Sequence, residues 1–214
     1  MNRTRIKICG LTRAADVADA VALGADALGF VRYRGSPRYV EPERLVSLLR
    51  EVPAFVTPVL LFVNAPEPEI RAALDLAPNA LLQFHGDESE PDCARFGRPY
   101  VRAVRMAEGV DLLDCAAAFA SAVALLADAP ADGYGGGGAA FDWSRLPPPA
   151  ARSKPLVLAG GLNADNVARA VKAVRPYAVD VASGVEDAPG VKSAEKLKRF
   201  FAAVRAADAE LNPT

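Results

Sequence analysis

The chain has 214 residues, 51% hydrophobic and 24% charged, which supplies apolar material for a sizeable core and argues against extended disorder. Its 25 basic and 26 acidic side chains nearly cancel, so charge gives no reason to expect nucleic acid or an anionic membrane as a partner. Three widely spaced cysteines (Cys9, Cys93, Cys115) and a single histidine (His85) argue against a disulfide framework or a zinc site and suit a reducing cytoplasm.

The amino-terminal segment lacks the length and cleavage site of a secretory signal, and the apolar runs are broken or too short to span a bilayer, so a soluble, cytoplasmic protein is expected. Short β-rich runs predict strands at 5–9, 27–31, 58–63, 80–85, 100–105, 122–127, 155–159 and 178–182. Helical spacing of apolar residues covers 14–23, 43–50, 67–76, 88–96, 163–174 and 193–204. Strand and helix alternate, with connections mostly too short for further domains. That order predicts parallel strands joined by crossover helices, closed into one (β/α)8 barrel over residues 1–214. An open doubly wound sheet has no G-x-G-x-x-G after the first strand to support it.

Chemistry is expected at the strand carboxyl ends, the catalytic face of such barrels. Cys9 ends the first strand, and alternation places it with Lys7 on the face opposite Ile6 and Ile8, away from any covering helix. Alternation also puts Asp128, after strand six, on the face of Leu126, and Asp180 opposite Val179 and Val181. A thiol and a carboxylate at one mouth supply one group to take a proton and one to give it, which suits an isomerisation without net redox change. Gln83 and His85 share the inward face of strand four and are read as pocket lining. Arg38, in the long Gly- and Pro-rich loop after strand two, carries a planar guanidinium able to grip a carboxylate at two points.

Two further runs suit an anion. Gly160-Gly161 follows strand seven and Ser183-Gly184 follows strand eight; glycines allow close backbone approach, exposed amides donate, and Ser183 adds a hydroxyl, so a phosphate cradle without lysine is expected. The loop after strand six, with glycines at 135–138, is a candidate substrate grip or lid.

These motifs, in order, resemble the phosphoribosylanthranilate isomerase family over nearly the whole length. They are Lys7-Ile8-Cys9-Gly10-Leu11-Thr12, Gly24-Ala25-Asp26-Ala27-Leu28-Gly29-Phe30-Val31, Ser36-Pro37-Arg38-Tyr39-Val40, Leu61-Phe62-Val63-Asn64, Gln83-Phe84-His85-Gly86, Phe141-Asp142-Trp143, Leu158-Ala159-Gly160-Gly161-Leu162 and Asp180-Val181-Ala182-Ser183-Gly184-Val185-Glu186. The resemblance implies an Amadori rearrangement of a phosphosugar, with no cofactor, no metal and no obligate protein partner. By motif it implies Asp128 as general acid, Cys9 as general base, Arg38 on the substrate carboxylate, and Gly160, Gly161, Ser183 and Gly184 on the phosphate; Asp180 is a nearby polar residue without an assigned duty. Both the acid and the base are expected to be shifted toward neutrality, with Lys7 or bound substrate as the electropositive influence on the thiol.

Two positions depart from the family pattern. The loop at 135–139 reads Gly-Gly-Gly-Gly-Ala where the family usually has Gly-Gly-Thr/Ser-Gly-Lys, and Ala182 stands where a second serine is common. The alternatives are a phosphate-binding scaffold, disfavoured by the retention of Cys9 and Asp128, and a barrel like indole-glycerol-phosphate synthase, whose lysine acid has no match at a strand end here.

Overall fold

The computed structural model describes residues 3–130 and 141–212. The glycine-rich stretch 135–139, anticipated as a grip or lid, lies outside the described residues.

Eight parallel strands close into a barrel in chain order: β1 (Arg5–Cys9), β2 (Ala27–Val31), β3 (Thr57–Phe62), β4 (Leu81–Phe84), β5 (Tyr100–Arg105), β6 (Ala124–Asp128), β7 (Leu156–Leu158) and β8 (Ala178–Val181). The seam is the β1–β8 pair, where Ile6 lies opposite Val179 and Lys7 opposite Asp180. The crossover helices are α1 (Ala14–Ala22), α2 (Pro42–Leu49), α3 (Glu67–Leu76), α4 (Glu90–Ala94), α5 (Leu112–Ala118) and α6 (Val167–Val174), and α7 (Ala194–Leu211) follows the last strand. After β8 a short 3-10 turn, Ser183–Val185, leads into a two-stranded hairpin, β9 (Glu186–Ala188) and β10 (Val191–Lys192).

The two-residue period of each strand divides the core. Outward residues such as Ile6, Ile8, Leu28, Leu82, Leu125 and Val179 join the helices in one large apolar layer. α6 shows how a helix meets it: Val167, Ala170, Val171 and Val174, spaced for one face, are buried. Inward residues fill the barrel itself, with Val101, Ala103, Ala124, Leu126, Val157, Ala159 and Ala178 in one cluster, and Cys9, Val31, Leu61 and Val63 above it toward the catalytic face.

Parts of the helical layer depart from the sequence expectation. α5 was not anticipated, because Leu112-Leu113-Asp114-Cys115-Ala116-Ala117-Ala118 is too uniformly apolar to show a helical face; Asp111 starts it by accepting the Leu113 amide at 2.6 Å. Among the described residues, the connection from β6 to β7, where no helix was expected, holds two 3-10 turns, Trp143–Arg145 and Pro149–Ala151. α6 starts four residues later than expected, because Asn163 and Asn166 tie residues 163–166 into a turn: Asn163 Oδ1 accepts the Asp165 and Asn166 amides.

Candidate active site

One cavity opens at the carboxyl ends of the strands. Cys9, Arg38, Gln83, His85, Asp128, Gly160, Gly161, Asp180 and Ser183 all line it, so nine of the ten residues singled out from the sequence converge there. The tenth, Gly184, stands behind the lining: a side chain at 184 would collide with the Leu162 carbonyl oxygen, so this glycine lets the loops after β7 and β8 touch.

Cys9 is 6% exposed at the end of β1, opposite Gly29 of β2. A Cβ at 29 would sit 2.7 Å from the thiol sulfur, so glycine leaves the thiol its room. Burial pushes the Cys9 thiol upward, the Lys7 and Lys192 ammoniums draw it back down, and Asp180 opposes them; the net direction is upward. The expected shift toward neutrality is therefore not what the barrel alone gives the thiol. The other buried cysteine, Cys93, lies among outer-layer residues and is raised by burial to about 12.

Lys7 and Asp180 form a two-point pair across the seam, with Nζ 2.9 Å from each carboxylate oxygen and both side chains 8% exposed. Burial acts to lower Lys7, but the charges and hydrogen bonds of Asp180 and Cys9 outweigh it and raise the group. Such a pair, far from solvent, costs desolvation that only close geometry offsets.

Asp128 ends β6, where Oδ1 accepts the Ala129 amide at 2.9 Å and Oδ2 lies 3.0 Å from His85 Nε2. His85 Nδ1 is in turn 3.1 Å from Gln83 Nε2. With the amide donating to Nδ1, the imidazole carries its proton on Nε2 and donates it to Asp128. His85 and Gln83 are thus more than lining; they hold the carboxylate in place.

Two groups went unnoticed in the sequence: Glu186 takes a two-point hydrogen bond from Arg38, and Lys192 braces Glu186. Lys7, one of the two expected electropositive influences on the thiol, does act on it. For Glu186 the only sign was its place five residues before the strand β10 that returns toward the site, a connection that periodicity alone does not reveal. Ala182, where a serine was missed, contributes its carbonyl oxygen to Lys192 Nζ at 3.0 Å.

The loop after β7 depends on backbone shape. Gly160 has φ +79°, and a Cβ there would overlap the Ala129 amide nitrogen, so the chain passes directly over the base of Asp128. Among the described residues no group of three or more His, Cys, Asp and Glu side chains is disposed to hold a metal ion. No helix among them is long and apolar enough to cross a membrane.

The fold and the site define a class: a (β/α)8 barrel with a thiol, a carboxylate and a guanidinium gathered at its catalytic mouth. The model of the N-(5'-phosphoribosyl)anthranilate isomerase family matches residues 6–203, and the chain belongs to that family of isomerases. It is 56% identical over 209 residues to N-(5'-phosphoribosyl)anthranilate isomerase of Methylibium petroleiphilum, covering 98% of this chain and 97% of that protein. The crystal structure of phosphoribosyl anthranilate isomerase from Thermus thermophilus superposes with a TM-score of 0.86 at 38% identity, covering 95% of this chain and 99% of that one. Another solved isomerase, at 33% identity with a TM-score of 0.79 and coverage of 95% and 99%, is in complex with reduced 1-(o-carboxyphenylamino)-1-deoxyribulose 5-phosphate.

Proposed function

We propose that this protein converts N-(5'-phosphoribosyl)anthranilate to 1-(2-carboxyphenylamino)-1-deoxyribulose 5-phosphate in tryptophan biosynthesis, the whole chain acting as one catalytic domain. The observation that carries this reading is that Cys9 and Asp128, from different strands, line the same cavity. An isomerisation that moves protons between oxygen and carbon needs one donor and one acceptor within reach of the same sugar.

Asp128 in its acid form protonates the furanose ring oxygen. The C1–O bond breaks as the nitrogen lone pair closes a C=N bond, leaving an open chain with a cationic imine. Cys9, as thiolate, removes the C2 proton, and the electrons move to nitrogen to give an enolamine that tautomerises to the ketone. Atoms and oxidation level balance, and no cofactor enters.

The upward shift of the free thiol fits this order of events. Ring opening creates positive charge beside Cys9, and that charge, added to Lys7 and Lys192, favours the thiolate at the step that needs it. His85 and Gln83 orient Asp128, while Asp180 fixes the Lys7 ammonium beneath the thiol. Arg38 takes the aromatic carboxylate, and the backbone at Gly160, Gly161 and Gly184 with the Ser183 hydroxyl holds the phosphate. The phosphosugar is the only partner this reading requires.

The test is to follow the loss of substrate fluorescence as phosphoribosylanthranilate is consumed by the purified protein. Turnover to the ketone is expected; a protein that binds the substrate without consuming it overturns the enzyme reading.

A further inference from the structure

Arg38 is not free to choose how it meets a ligand. Its Nε donates to Glu186 Oε1 at 2.9 Å and its Nη2 to Oε2 at 2.6 Å. Glu186 is held from behind in turn, because Lys192 Nζ donates to Oε1 at 2.8 Å and the Gly190 amide does so at 3.2 Å. The Lys192 side chain is 0% exposed and that of Glu186 is 4% exposed, so this brace lies inside the protein. The Arg38 stem crosses Gly10, which has φ +74° and where any Cβ would collide with Arg38 Cδ.

A guanidinium binds a carboxylate through one of its edges. Glu186 occupies the Nε–Nη2 edge, so the edge left for a second carboxylate is the Nη1–Nη2 end. Two cations against one carboxylate also leave one positive charge unbalanced at the cavity mouth.

We propose that Glu186, braced by Lys192, is a positioning residue that fixes Arg38 so that its Nη1–Nη2 end meets the substrate's aromatic carboxylate, and that it thereby sets the preference for carboxylated over plain arylamines. This rests on the reading of Arg38 as the carboxylate grip. It also makes Gly10 part of the same device, since only a residue without a side chain lets the arginine stem lie across β1's end.

The experiment titrates reduced 1-(o-carboxyphenylamino)-1-deoxyribulose 5-phosphate, the ligand of the solved relative, and its counterpart lacking the aryl carboxylate, against wild type, Arg38→Ala, Glu186→Gln and the double variant. Glu186→Gln is expected to weaken the carboxylated ligand roughly tenfold, within the range for coupled neighbours, and to leave the other ligand within about twofold. In the Arg38→Ala background it should add nothing. Because Glu186→Gln strands a buried ammonium, Glu186→Gln/Lys192→Met is measured beside it and should lose the same selectivity. Equal weakening of both ligands by both Glu186 variants, or additive losses with Arg38→Ala, would overturn the positioning role. If Arg38→Ala discriminates between the ligands and neither Glu186 variant does, the positioning role falls alone. If Arg38→Ala weakens both ligands alike, the carboxylate grip falls and takes the positioning role with it.

Discussion

Replacing the Cys9 thiol by a methyl group in Cys9→Ala removes the proposed acceptor of the C2 proton while deleting little volume from the barrel. Isomerisation should vanish, with the melting temperature and the affinity for a reduced product analogue near those of wild type; near-normal turnover would remove Cys9 from the base role. Asp128→Asn keeps the shape and an acceptor for one of the two contacts, to Ala129 or to His85, but has no acidic proton, so kcat/KM should fall at least ~100-fold, and retention of a tenth of the activity would be incompatible with a general acid there. Asp180 reaches the thiol in two ways: its negative charge favours the protonated form, and it neutralises Lys7. Both effects disappear in Asp180→Asn, so the pH midpoint for alkylation of Cys9, which burial pushes upward in wild type, should move down. Mass spectrometry of iodoacetamide-treated protein reads that midpoint, and an unchanged or higher one would mean that the seam pair does not govern the thiol. Much of this arrangement was legible because strand alternation fixes which way a side chain faces: Cys9, Asp128, Asp180, Gln83 and His85 all point inward as their parity requires. Glu186 and Lys192 were not legible. Their partnership with Arg38 spans 148 residues between Arg38 and Glu186 and passes through a hairpin, and local pattern carries no information about such a contact.

At the scale of loops and helices, the two glycine runs divide their labour differently from one another. Gly161 lines the cavity at φ +63°, so Gly161→Val both strains the backbone and pushes bulk toward the proposed phosphate position. It should raise the dissociation constant of a phosphorylated ligand far more than that of its dephosphorylated counterpart. Ser183→Ala removes one donor and should cost the phosphorylated ligand roughly fivefold, the worth of about 1 kcal/mol. Titration of each variant with both ligands checks the pair of expectations, and equal weakening by Gly161→Val would move the phosphate elsewhere. Gly184 belongs to a different test: Gly184→Ala drives a methyl into the Leu162 carbonyl, so its main effect should be on thermal stability, read by calorimetry. The elements themselves were legible where periodicity was strong, as in all eight barrel strands, whose ends shift by a residue or two, and in α6, whose start alone moves by four. Where the sequence is monotonously apolar, as in α5, or where asparagine side chains replace helical hydrogen bonds, as at 163–166, the winning interactions are local caps and turns that a hydrophobic pattern does not record.

For the molecule as a whole, closure is the property that depends on both ends of the described chain. Thr4, just before β1, gives its amide to Asp208 Oδ2 at 2.9 Å and its hydroxyl to Oδ1 at 2.6 Å, clasping α7 to the first strand. Asp208→Ala removes both bonds and should lower unfolding free energy by about 2 kcal/mol, whereas Thr4→Val removes only one. Urea denaturation monitored by circular dichroism gives both values; an unchanged midpoint for Asp208→Ala would show that the clasp does not hold the barrel shut. The seam inside this clasp has a bearing on how the protein is made. Lys7 and Asp180 are 173 residues apart, so on a ribosome the ammonium of the first strand waits roughly 10–35 s for its carboxylate to be synthesised. Throughout that interval the edge of β1 that will meet β8 has no partner, and an inward-pointing charge on such an edge disfavours pairing with other chains until the last strand arrives to neutralise it.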